Sequence, residues 1–163
     1  MPAVAADMAG YVLYYRMFGD WSAICSRDEA TGNVLCVAES PPPTSVVPPA
    51  VVLRVRETAP ETYAVSAAFR ANVAPGAAAA LRVDDGADRV VALDAGYEAH
   101  FSGAEAAGLV AEMLAGRVLT VRGAGHGSDA QPILVGVPLV AFRGALEAMR
   151  MNLRQHGGIR HPG

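Results

Sequence analysis

Apolar and polar residues alternate with a period of two along most of this chain, and only two stretches switch to the helical period. The organising stretch is Phe18–Cys36, FGDWSAICSRDEATGNVLC. Two short apolar runs, Trp21–Cys25 and Val34–Val37, flank the polar segment Ser26–Asn33. That pattern predicts a β-hairpin turning at Thr31-Gly32-Asn33. Tyr11–Arg16 predicts a strand before it, and Gly19-Asp20 a turn in which Asp20 accepts backbone hydrogen bonds.

Val51, Leu53 and Val55 alternate with Val52, Arg54 and Arg56, which predicts a strand with one apolar and one charged face. Tyr63–Phe69 follows as a second strand. Ala79–Val83 and Arg89–Leu93 flank Asp84–Asp88, a hairpin with an Asp-Gly turn. Tyr97–Phe101, Val118–Arg122 and Ile133–Val137 are further strands, the last two joined by the polar loop Gly123–Pro132. Pro138 ends the last strand.

The helical period appears first after Ser102-Gly-Ala-Glu105, a capping-box pattern. Leu109, Val110, Met113 and Leu114 recur at helical spacing and Gly116 supplies a stop, which predicts a helix over 103–115. It returns at Phe142–Gln155, where Phe142, Leu146, Met149 and Leu153 share one face. Ser40–Pro49 carries five prolines in ten residues, which excludes helix and central strand. An extended surface connection is expected there rather than a ligand for an SH3-type domain.

Strands outnumber helices and most are joined by tight turns. The expected fold is mainly β: an antiparallel β-sandwich or partly open barrel with one mid-chain helix and a C-terminal helix. Residues 1–10 read as a weakly ordered lead, 11–155 as a single β-rich domain and 156–163 as a flexible tail. At 163 residues the chain is long enough to bury a core without a structural metal.

The net charge of −3 and the lack of a basic run argue against a nucleic-acid partner. All thirteen basic residues are Arg, so Schiff-base and phosphate-loop lysine chemistry is excluded. No apolar run reaches the ~18–20 residues of a membrane helix. The N-terminal stretch carries Asp7 and Arg16 and lacks a basic start, so it is not a clean signal peptide.

Cys25 and Cys36 sit one on each arm of the hairpin, which favours a disulfide staple over a pair of free buried thiols. Redox spacing would be shorter, and zinc would need further ligands where no His lies near. Trp21 reads as a core plug beside the staple, with a contact platform as the alternative. His126, Ser128 and Asp129 share one Gly-rich loop, whereas a working triad converges from separate elements. Asp84, Asp85 and Asp88 form a turn too short for an EF-hand. His100 reads as a half-exposed strand residue, and His156 and His161 lie in the tail. No catalytic, metal or cofactor set is assigned.

The segment FGDWSAIC with Cys36 eleven residues on, LRVDDGADRVVAL, the helix followed by Gly-Arg-Val-Leu-Thr-Val, and PILVGVPLVAFRGALEAM occur in this order. Together they resemble the invasion-associated locus B family of bacterial envelope proteins over about Phe18–Met149. One feature departs from that family, which usually carries a second Cys pair between the Asp-Gly hairpin and the helix. Here LDAGYEAHFSGAEAAG has none. The resemblance implies an exported, periplasmic or envelope-associated, non-enzymatic protein acting through protein contacts. Tyr14, Tyr15, Phe18 and Trp21 are then the candidate contact residues. The alternatives are an accessory subunit on a membrane protein complex, a small-ligand binder or hydrolase using a sheet face, and a cytoplasmic location.

Overall fold

The computed structural model describes residues 10–43, 49–70, 73–74, 76–125 and 131–157. The first hairpin forms with longer arms than the hydrophobic pattern predicts: β1 is Gly10–Phe18, β2 Trp21–Asp28 and β3 Val34–Ser40. Ser26, Arg27 and Asp28 are strand and not turn. Ser26 and Arg27 pair with β3 on one side, and all three pair with β1 on the other, Gly10 lying opposite Asp28. A polar strand end held by ladders on both sides needs no apolar run of its own. The turn is set by Asp28, whose Oδ1 accepts the N–H groups of Ala30 and Thr31 at 2.8 and 3.2 Å. Gly32 has φ +71°, a backbone state that costs glycine least.

The chain continues through β4 (Val51–Ala59), β5 (Thr62–Phe69), β6 (Ala78–Val83), β7 (Arg89–Ala92) and β8 (Glu98–Phe101). Helix α1 is Gly103–Ala115. Strands β9 (Val118–Gly123) and β10 (Ile133–Pro138) precede helix α2, Phe142–Gln155. Two antiparallel sheets result, a six-stranded one in the order β1-β2-β3-β4-β5-β8 and a four-stranded one in the order β10-β9-β6-β7. The architecture is a β-sandwich with two helices. The chain passes to the second sheet after β5 and returns at β8, so β5 pairs with a strand about thirty residues away in sequence.

The core takes one face of the large sheet (Ala23, Cys25, Ala38, Leu53, Val55, Val65), the inner face of the small one, and both helices. Helix α2 lies across β1–β4 and buries Phe142, Leu146, Met149 and Leu153, the face its periodicity predicts. Trp21 is fully buried. Its Nε1 donates to the Pro138 carbonyl at 2.8 Å, and its ring lies 4.7 Å from that of Phe142. One side chain thus joins β2, the end of β10 and the start of α2.

Two local expectations change, and one is met in an unexpected way. Ser102 stands at the N-cap of α1, but its hydroxyl makes no capping bond, so the capping box does not form. Gly116 ends α1, as expected, and does so in extended backbone. A Cβ there would lie 2.2 Å from Val83 Cγ1, so close packing on β6 demands the glycine. Tyr97 has φ +62° and belongs to the turn before β8, not to the strand. Most of the expected lead and tail, residues 44–48 of the proline-rich connection, and His126, Ser128, Asp129 and His161 lie outside the described residues.

Candidate functional site

Cys25 and Cys36 are directly opposite each other on β2 and β3 and form a disulfide. Both are buried in the core, so the bond acts on the hairpin and not on a substrate. Among the four candidate contact residues, Trp21 is completely buried, which fits its reading as a core plug and removes the alternative of a contact platform. Tyr14 and Phe18 are half-buried on the core side of β1. The Arg16 guanidinium sits 5.1 Å over the Phe18 ring, and that ring lies against Gly144 of α2. Tyr15 is exposed on the opposite face.

β1 is the end strand of the large sheet. Its exposed large apolar residues are Tyr11 (49%), Val12 (63%), Tyr15 (40%) and Met17 (51%), with Arg16 exposed among them. A nine-residue edge strand of this composition is a template for pairing with another chain. Asp20, in the turn after it, contributes through its backbone carbonyl, which accepts the Ser40 hydroxyl at 2.6 Å.

A second surface feature lies on the outer face of the same sheet. Strand alternation brings Val37 on β3, Arg54 and Arg56 on β4, Ser66 on β5 and His100 on β8 to that face. The register fixes their neighbours: Arg54 is opposite Ser66, and Ser66 is opposite His100. They line a groove of about 320 Å³. Leu35, Val37 and Ala64 give it an apolar floor, and Ser102 closes one end. The sequence alternation at 51–56 marks the two arginines as outward-facing. It carries no sign that His100, on a strand paired across a long insertion, would join them.

His100 also belongs to a local acidic turn. Its Nε2 lies 2.8 Å from Asp94 Oδ2 and 3.7 Å from Glu98 Oε2. One ligand atom from each of Asp94, Glu98 and His100 falls within a 4.8 Å cluster, a set that could hold a cation. The same carboxylate has a structural task. Asp94 Oδ1 accepts the N–H groups of Gly96 at 2.8 Å and Glu98 at 2.9 Å, shaping the turn where the chain returns to the large sheet. Chiefly the Glu98 N–H, and then the His100 ring and the Gly96 N–H, hold the Asp94 carboxyl below its usual range.

The Asp84–Asp88 cluster is likewise structural. Asp84 accepts the N–H groups of Arg117 and Val118, at 3.1 and 3.0 Å, and so ties the β6–β7 turn to the start of β9. Asp88 pairs with Arg122. The sequence marks the turn but not these partners, which stand more than thirty residues away.

No protein-family model matches the sequence, and no curated protein matches it. Among solved structures, invasion associated protein B from Bartonella henselae superposes with a TM-score of 0.65 at 18% identity. The match covers 87% of this chain and 97% of that one. The two chains share a fold. At this identity the likeness shows the fold alone. No helix among the described residues is long and apolar enough to cross a membrane.

Proposed function

We propose that the protein is an exported envelope protein of the invasion-associated locus B type, and that it works by recognition of a protein partner rather than by catalysis. The fold shared with invasion associated protein B over nearly the whole length of both chains carries this reading. The Cys25–Cys36 bond supports the location, because structural disulfides persist in oxidising compartments. The exposed aromatic edge of β1 supports the mode of action. Strand addition there would supply main-chain hydrogen bonds, with Tyr11, Tyr15 and Met17 setting which partner is accepted.

Site-specific photo-crosslinking in cells tests the contact. A photoreactive phenylalanine analogue at Tyr15 should capture one discrete envelope protein, whereas the same group at the exposed Val90 of the second sheet should not. Equal capture at both positions, or none at Tyr15, would remove β1 as the contact strand.

A further inference from the structure

We propose that the groove on the outer face of the large sheet binds a small monoanion with an apolar body, of the medium-chain carboxylate class. Arg54 is committed to Glu39, its Nε lying 2.6 Å from Glu39 Oε1, and Glu39 is itself buried. His100 is committed to Asp94 and Glu98. Arg56 has no carboxylate partner among the described residues, and arginine stays charged at any physiological pH. Arg56 is thus the one arginine of the groove without a carboxylate partner among the described residues, and its guanidinium is where a single negative charge would bind.

The hydrogen-bonding groups agree. The Ser102 hydroxyl makes no cap to α1 although it stands at the N-cap, and it lines the groove instead. Ser66 presents a second hydroxyl between Arg54 and His100 in the register. Arginine fork geometry and two hydroxyls suit a planar carboxylate.

The rest of the lining excludes a bare inorganic anion as the best fit. Leu35 is 48% exposed and sits with Val37 and Ala64 beside the arginines. Covering them removes apolar area from water. The volume stands near the lower end of the ~300–1,000 Å³ range of ligand pockets, so the apolar body is short.

Octanoate, octan-1-ol and sulfate serve as probes, followed by calorimetry and by amide shifts in nuclear magnetic resonance spectra of the intact chain. Octanoate should bind saturably and shift Val37, Arg54, Ser66 and His100. Octan-1-ol, lacking the charge, and sulfate, lacking the apolar body, should each bind about tenfold more weakly or worse. Arg56→Gln should weaken octanoate about tenfold, as loss of a charge-assisted hydrogen bond does, and leave octan-1-ol unchanged. An unchanged thermal transition would show that the variant is folded. Equal binding of octanoate and octan-1-ol, shifts confined to another surface, indifference to Arg56→Gln, or no saturable binding would each overturn the assignment. Binding of an acidic peptide in place of octanoate would overturn it in favour of a protein contact.

Discussion

Arg150→Met should be among the most damaging single changes on the surface of helix α2. Glu57 points from β4 into the interior, with its side chain 3% exposed. Its Oε2 accepts from Arg150 Nε at 2.9 Å and from the Glu61 N–H at 3.0 Å. Arg150 is 23% exposed and also reaches over the Tyr63 ring at 6.0 Å. Methionine keeps much of the stem packing and deletes the charge, which leaves a buried carboxylate with one N–H donor. Breaking a buried pair in this way costs about 3–5 kcal/mol. Partial exposure of the arginine lowers the expectation to about 2–3 kcal/mol, and for a chain of this size that is roughly 4–12 °C in Tm. Urea unfolding followed by circular dichroism measures it. Two controls isolate the cause. Arg143→Met removes an exposed pair with Glu147 at 4.0 Å and an exposed hydrogen bond to the Leu114 carbonyl at 3.3 Å, and should change stability by less than about 1 kcal/mol. Glu57→Gln combined with Arg150→Met removes both charges and should recover about 1 kcal/mol or more of the loss. A single-variant cost below about 0.5 kcal/mol, or a double variant no more stable than the single, would refute the reasoning.

Three further outcomes follow from the same geometry. Reducing the Cys25–Cys36 bond, which closes a loop of eleven residues, should cost about 2–3 kcal/mol on the chain-entropy model, read as a fall in the urea midpoint without loss of the native spectrum. Gly116→Ala should destabilise by about 1–3 kcal/mol through overpacking, since the new Cβ meets Val83 at 2.2 Å; Gly76→Ala, where the Cβ meets nothing within 4 Å but φ is +73°, should cost only the backbone strain of about 1–2 kcal/mol. The Asp94 carboxyl titrates below its usual range in the folded chain, so its contribution to stability is present above the unfolded value of ~3.9 and is lost as pH falls through the folded value. A carbon-detected titration should show the low midpoint, and His100→Ala should move it back upward.

The elements were legible where one side chain pattern decides one local structure. Helix α2 is visible in Phe142, Leu146, Met149 and Leu153 because one buried stripe on an otherwise polar helix has a single solution. The hairpin carrying Cys25 and Cys36 is visible for the same reason, but its true length is not. Ser26–Asp28 become strand through pairing with β1, and for Ser26 and Arg27 with β3 as well, a fact of neighbouring strands and not of local pattern. Ser102 and Glu105 spell a capping box, yet the Ser102 hydroxyl makes no cap bond, so the motif names the helix start without its mechanism. The groove itself was half legible. Alternation at Arg54 and Arg56 reports an outward charged face, while the pairing of β5 with β8 that brings in His100 depends on a crossover between sheets. Trp21 shows the complementary case: its composition fits core and contact alike, and only the arrival of Pro138 and Phe142 from over a hundred residues away decides for the core.

The most direct test of the envelope reading is thiol trapping in the cells that make the protein, with cell fractionation and intact mass of the chain from each fraction. The account predicts a chain in the periplasmic or envelope fraction that resists alkylation at Cys25 and Cys36 and is lighter than the dithiol by one pair of hydrogens. A cytosolic chain with both thiols free to alkylate would contradict it, and would leave the shared fold alone.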